Sequence, residues 1–422
     1  MKVILFNTNF RLLWINTALT MMGDLARMML VGWLVLEITD SPMWVGINMG
    51  VVGLGMIALS NFGGVLADAF SRKMVAIVGG VMHCLIALFL VLSVYFNYLE
   101  LWQLILNSFI WGAFSGIRIP ATMALTLDVV EKKELLSANA AKFVGIGLAG
   151  IIGPILLIQV LKYFDNLGGF IFIAVLEGFS ILVISKLSVP SKNFGVSGLE
   201  NIDFRSFKST WVELLEGVHY IFKTRDVRLL ILIGLLSEIF VWPHANMFPV
   251  IARDVLDVGV EGFGYLQSSG WFGLLVATLL LSGIGYRIKR RGLVMVFCAL
   301  LFGILIITFA LSRDLMVSMV VLSLAWASAS IFEVTLITFL QSTVPDNMRG
   351  RVVGFQAFTW GTNAFSGFHY GLISQLTSVT WAIIINAIVF IVYAVSKIQW
   401  AEALSISDQN NVNSDSMNKS SF

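Results

Sequence analysis

The chain is 422 residues long, 58% hydrophobic and 12% charged, with a mean hydropathy of +0.89. Soluble domains are about 25% charged, so the composition excludes a water-soluble fold and implies a polytopic membrane protein. A net charge of +2 gives no basic surface for nucleic acid, and two cysteines, Cys84 and Cys298, give neither a disulfide framework nor a metal-ligand spacing.

A run of about 20 apolar residues suffices to cross a bilayer as a helix. Twelve such spans follow in chain order: Leu12–Leu36, Met43–Leu66, Met74–Tyr95, Leu101–Leu127, Leu135–Leu161, Gly168–Leu187, Leu229–Ile251, Gly262–Ile284, Leu293–Leu311, Leu315–Leu340, Val352–Ile373 and Val379–Ser396. They are numbered 1 to 12 below. The runs are too long for barrel strands and do not alternate, so the expected fold is an all-α membrane bundle. No cleavable signal pattern precedes span 1. Twenty-two Lys and Arg fall on the side of the termini; only Lys162, Arg253 and Arg313 fall on the other. The positive-inside rule therefore expects both termini in the cytoplasm.

Span 1 holds the stretch MMGDLARMML, with Asp24 and Arg27 one helical turn apart. A charge at bilayer depth costs about 2.5–3.5 kcal/mol and faces a bundle interior or a water path. At i, i+3 the two share a face. They form either a structural ion pair or a device in which Asp24 trades Arg27 for a proton or substrate. The loop after span 2 reads GGVLADAFSRKM. Span 3 carries His83. Span 4 carries Trp111 and Arg118 and ends near Asp128. Span 5 is glycine-rich, and span 6 carries Glu177, for which a local hydrogen-bonded role is expected.

Residues 188–228 form a long polar connection. Its stretch FKSTWVELLEGVHYIFKT puts Trp211, Leu214, Leu215, Val218, Ile221 and Phe222 on one helical face. That is an amphipathic helix, lying on the membrane surface or packed on the bundle. Span 7 carries Glu238 and then Pro243 and His244, where a kink is expected. Span 10 carries Trp326, Phe332 and Glu333, and span 11 His369. From Ala401 the tail turns polar and reads as disordered.

The two sides of the connection resemble each other at an offset near 214. Asp24 falls opposite Glu238, Cys84 opposite Cys298, and the 129–153 stretch opposite 343–367. This predicts a duplicated bundle: a six-span half over 1–187, the connection 188–228, a second half over 229–400 and a tail over 401–422. Substrate sites of such parallel repeats lie near the midplane.

Gly64, Asp68, Arg72 and Lys73 match the G-x-x-x-D-x-x-x-R-[KR] signature of the major facilitator superfamily. NFRLLWINTALTMMGD, WVELLEGVHYIFKTRDVRLLIL and VPDNMRGRVVG resemble the branch that contains the enterobactin exporter and macrolide-efflux proteins. The resemblance covers nearly the whole chain. It implies a twelve-helix fold in two pseudo-symmetric six-helix halves, with spans 1, 4, 7 and 10 lining a central cavity. It also implies a monomeric secondary transporter of a bacterial inner membrane that exports an amphipathic organic molecule, drug-like or siderophore-like, by proton antiport. Under it, Asp68 approaches the start of span 11 near Gly350 and Arg72 pairs with Asp128, a gate between the halves. Asp24, Arg27, Arg118, Glu238 and Glu333 are then substrate or proton sites, with Trp111 and Trp326 as aromatic walls.

The chain departs from the pattern in places. The antiporter motif of span 5 keeps Gly145, Gly147, Gly150, Gly153 and Pro154 but has Leu157 and Ile158 for its last two glycines, and Asn107 stands near the family's coupling Arg. Alternatives in the same fold are lysophospholipid or metal-ion transport. A membrane enzyme or assembly factor is a further class. No catalytic motif, resident metal or cofactor is expected, because no H-E-x-x-H, G-x-S-x-G, P-loop or Cys/His cluster occurs.

Overall fold

The computed structural model describes residues 7–69, 71–131, 134–188, 216–284, 290–345, 348, 352, 359 and 361–406; for 60–69, 136 and 284 it describes only the backbone. Every regular element among the described residues is helical. Four of the helices begin where a polar side chain satisfies a free N–H group. Asn7 accepts from the Phe10 amide at the start of Thr8–Thr39, Ser71 from Met74 at Arg72–Tyr95, Asp314 from Val317 at Leu315–Thr343, and Ser378 from Trp381 at Val379–Val395. Span 1 stops at Asp40, whose left-handed backbone (φ 48°) turns the chain.

Nine helices among the described residues are long and apolar enough to cross a membrane, and a tenth if the bent pair Val379–Val395 and Ile398–Ile406 is one span. Leu135–Ser185 carries both predicted spans 5 and 6. At 51 residues it is far longer than one crossing, and it breaks at Asp165, where φ is 51°. Span 11 lies partly outside the described residues; its described helix is Gly367–Leu376. So does the amphipathic segment, since 189–215 are not described. Gly64 and Asp68 lie on the helix Pro42–Ala69, but their side chains are outside the described ones.

Span 7 is not one continuous helix. Arg225–Phe240 gives way to a 3-10 turn at Trp242–Met247, a short helical turn at Phe248–Val250 and a wide π turn at Ile251–Val255. Pro243 and Pro249 remove backbone donors there, which is why the ladder changes pitch.

Spans approach through small residues, as membrane helices must when lipid is as apolar as Leu. A Cβ on Gly112 would overlap the Val52 carbonyl, joining spans 2 and 4, and one on Gly273 the Ser323 carbonyl, joining spans 8 and 10. A Cβ on Gly46 would lie 2.7 Å from the Cα of Gly371, so spans 2 and 11 meet at the end of the bundle away from the termini. At that end Arg253 also reaches Asp40 (2.7 Å) and the Leu36 carbonyl (3.2 Å). Spans 5 and 8 meet through Gly147 against Leu275 and Gly150 against Trp271. Outward-facing Leu85, Leu92, Phe179, Leu182, Phe297, Ile304, Val389 and Val392 give spans 3, 6, 9 and 12 an apolar belt suited to hydrocarbon.

Candidate functional site

Of six intramembrane charges, five were expected to line a cavity and Glu177 to have a local role; the structure gathers four of the six in one place. Span 1 brings Asp24 and Arg27, span 4 Arg118 and span 6 Glu177. The Arg118 guanidinium sits between two carboxylates. Its Nη2 donates to both oxygens of Asp24 at 3.2 Å, and its Nη1 donates to Glu177 Oε2 at 3.0 Å. Fixed fork geometry lets one arginine hold two carboxylates at once.

The expected partner of Asp24 was Arg27, and that pairing does not form. Arg27 instead reaches Asn107 Oδ1 (3.4 Å) and Ser108 Oγ (3.3 Å), with its guanidinium carbon 4.8 Å from the Trp111 ring centre. Residues at i, i+3 share a face, but Asp is short and Arg long, so each takes the partner its length reaches. Among the described residues Arg27 has no ion-pair partner, and its Nε is buried without a hydrogen bond.

Trp111 organises the cluster. Its Nε1 donates to Asp24 Oδ1 at 2.8 Å, its ring stacks on His83 at 3.9 Å, and its carbonyl lies 3.1 Å from His83 Nε2. His83 Nδ1 then faces Glu177 Oε1 at 3.8 Å. The Asp24 side chain is 31% exposed, while those of Glu177 and His83 are fully buried, so the cluster has one wet end and one dry end. Glycines shape the seats. A Cβ on Gly79 would lie 3.0 Å from Arg118 Cβ, and one on Gly23 3.2 Å from Glu177 Oε1.

Glu177 does have a hydrogen-bonded partner, but it is Arg118 of span 4 rather than a local group. His83 was missed as a member, because span 3 lies on the outside of the bundle. Its signal in the sequence was the Gly79–Gly80 pair one turn earlier, which lets span 3 press against Arg118 and Ile181.

On the other side of the bundle, Glu238 and Glu333 lie within electrostatic reach of each other. Glu238 accepts from Asn363 Nδ2 at 3.2 Å, and Glu333 lies beside Trp242. Neither has an ion-pair partner among the described residues. Trp326 is 3% exposed. Its Nε1 donates to His244 Nε2 (3.1 Å), while His244 Nδ1 donates to the Val241 carbonyl (2.7 Å). Those two bonds fix His244 as a neutral imidazole within a cluster of Trp242, Phe248, Phe302, Phe309 and Trp326.

Of the expected gate, Arg72 pairs with Asp128 at 2.8 Å and also donates to the Ala124 carbonyl at 3.2 Å. Lys73 donates to the carbonyls of Ser185 and Leu187, tying span 3 to the end of span 6. The contact expected between Asp68 and Gly350 lies outside the described residues.

Comparison with known proteins agrees with this architecture. The major facilitator family described as transmembrane secretion effector matches residues 4–421. The enterobactin exporter EntS of Escherichia coli O1:K1 is 26% identical over 330 residues, covering 75% of this chain and 73% of its own. That of Shigella flexneri is 26% identical over 333 residues, covering 75% and 72%. A POT family transporter crystallised with a thioalcohol-conjugated peptide superposes with a TM-score of 0.72 at 13% identity, over 94% of this chain and 96% of its own. A bacterial homologue of the human lysosomal transporter Spinster, inward-facing and unoccupied, gives 0.65 at 13% identity, over 96% and 97%. At such identities these structures speak to the fold alone.

Proposed function

Since the chain belongs to the transmembrane secretion effector family of major facilitator transporters, we propose that this multi-pass membrane transporter exports an amphipathic organic molecule of siderophore-like or drug-like chemistry in exchange for protons. In this reading it sits in a bacterial inner membrane with both termini in the cytoplasm. The halves 1–187 and 229–400 alternate access to a midplane site as a monomer. The observation that carries it is one arginine shared by two carboxylates, of which one, Asp24, is open to solvent and the other is not.

That arrangement is a coupling device. A carboxylate held by a guanidinium stays ionised; one that loses it in a dry site takes a proton. Any cargo group that draws Arg118 or replaces it at Asp24 therefore changes how many protons the cluster holds. One proton moving down 100 mV supplies about 2.3 kcal/mol to drive export. Arg27, cationic and without an ion-pair partner among the described residues, supports an anionic chelator as cargo, in keeping with relatives named as enterobactin exporters. A second reading, export of lipophilic cations, is favoured by the neighbouring carboxylates Glu238 and Glu333.

The test is uptake of labelled enterobactin, and separately of a lipophilic cation, into inverted membrane vesicles with an imposed pH gradient. Gradient-driven uptake of enterobactin, abolished in Asp24→Asn while the protein remains folded, is the expected result. Full gradient-driven uptake in Asp24→Asn overturns the coupling role. Uptake of the cation alone replaces the chelator reading with the second.

A further inference from the structure

The histidine on span 3 has no place in the device as described, and its geometry is unusual. His83 Nε2 lies 3.1 Å from the Trp111 carbonyl, which only accepts, so Nε2 carries the hydrogen. In the neutral ring Nδ1 is then a lone pair. It faces Glu177 Oε1 at 3.8 Å, and both atoms are fully buried with no hydrogen-bond partner among the described residues. Two acceptors left facing each other in a dry site each carry an unmet hydrogen-bonding demand. One hydrogen satisfies both once the two side chains close to hydrogen-bond distance.

We propose that His83 Nδ1 and Glu177 Oε1 form a buried proton-binding site, holding one proton between them at the end of Arg118 opposite Asp24. This rests on the proton-exchange reading for its use, though not for its existence. Among the described residues, the titratable groups facing the pair are Asp24 and Arg27 from span 1, Arg118 from span 4 and the Cys84 thiol from span 3 itself. The thiol is occupied with the Ala174 carbonyl at 3.7 Å.

With Glu177 protonated, Arg118 is left to Asp24 alone. When a cationic group or a proton reaches Asp24, the guanidinium is released towards Glu177. The Glu177 O–H bond breaks, and the proton leaves through the end of the cluster open to solvent. The two carboxylates never need to be deprotonated without a cation, which is the costly state in a low-dielectric site. Asp24, His83 and Glu177 also bring ligand atoms within 4.8 Å of one another, a spacing a divalent metal can use. Against a metal, the Arg118 guanidinium already fills the bridge between the two carboxylates, at 3.0 Å and 3.2 Å.

The experiment is infrared difference spectroscopy of the purified full chain between acid and alkaline pH, without cargo, using protein labelled with ¹³C-glutamate. The expected result is a carboxylic-acid carbonyl band that shifts with the glutamate label, is lost in Glu177→Gln and is displaced in His83→Leu. A band that ignores the glutamate label, or survives Glu177→Gln unchanged, overturns the site. So does stoichiometric Mn²⁺ or Zn²⁺ binding that His83→Leu abolishes, which assigns a metal instead. If Glu177→Gln does not fold, the label and His83→Leu still decide. Vesicle transport separates the two claims. A wild-type band without gradient-driven uptake keeps the site and sinks proton exchange; gradient-driven uptake without the band keeps proton exchange and sinks the site.

Discussion

Trp111 on span 4 and Trp326 on span 10 stand 215 positions apart in a chain that repeats near 214, yet their surroundings are opposites. Trp111 gives its N–H to a carboxylate, lies under one guanidinium carbon and stacks on a histidine. Trp326 gives its N–H to a neutral imidazole and is enclosed by Trp242, Phe248 and Trp271. One indole scaffolds charges that can be redistributed; the other fills volume in an aromatic cluster around a histidine whose two ring nitrogens are both hydrogen-bonded. The same residue at matched positions thus serves a region built to switch and a region built to stay. The carboxylates Glu238 and Glu333 remain near the second region, but no arginine among the described residues pairs with either.

The largest effect that tests this contrast is expected at Arg118. Arg118→Leu leaves Asp24 and Glu177 without their shared cation, and removing one partner of a buried pair costs about 3–5 kcal/mol. Thermal unfolding in detergent should show it, and raising the pH should deepen the loss, because more of the two carboxylates must then be charged. A loss independent of pH would mean that Arg118 only fills space. Trp326→Phe comes next. It keeps most of the ring but leaves His244 Nε2 an unsatisfied buried acceptor, for about 1–3 kcal/mol. This loss should not vary between pH 6 and 8, since no ionised partner is involved.

The glycine seats sharpen the same comparison on a smaller scale. A Cβ on Gly270 would lie 2.7 Å from Trp326 Cδ2, against a rigid ring. Gly270→Ala should therefore cost about 1–3 kcal/mol of overpacking. A Cβ on Gly23 would lie 3.2 Å from the tip of Glu177, which can give way. Gly23→Ala should cost about 1 kcal/mol or less in unfolding but should alter gradient-driven transport. Equal stability losses in the two variants would erase the distinction between a movable and a fixed cluster.

Much of the architecture was legible because hydropathy is a long-range average: twenty apolar residues in a row declare a span whatever they pack against. The charges inside spans were legible as costly and therefore as gathered somewhere dry or wet together. Their pairing was not. Spacing along span 1 favoured Asp24 with Arg27, but the choice was made across the bundle, where Arg118 reaches both Asp24 and Glu177 and Asn107 takes Arg27. The membership of His83 depended on how closely span 3 approaches span 4. That distance is set by Gly79, and nothing in periodicity reports it. On span 7 the break was legible, since Pro243 removes a donor wherever it stands, whereas the π turn at Ile251–Val255 was not expected.

The smallest effect on stability is expected at the exposed counterpart of the buried pair, and it carries its own information. Arg72 and Asp128 meet at 2.8 Å, shorter than Arg118 and Asp24, but both side chains are about 30% exposed. Solvent screens such a pair, so Arg72→Ala should cost only about 0–1 kcal/mol. If the pair merely ties the ends of spans 3 and 4, that is the whole effect. If it gates, the variant should change cysteine accessibility at the two ends of the bundle in opposite directions, with little change in unfolding temperature. A small energy moves a conformational balance easily, because 1.4 kcal/mol is a factor of ten between states. Unchanged accessibility at both ends would confine this signature to anchoring and leave the switching to the buried arginine.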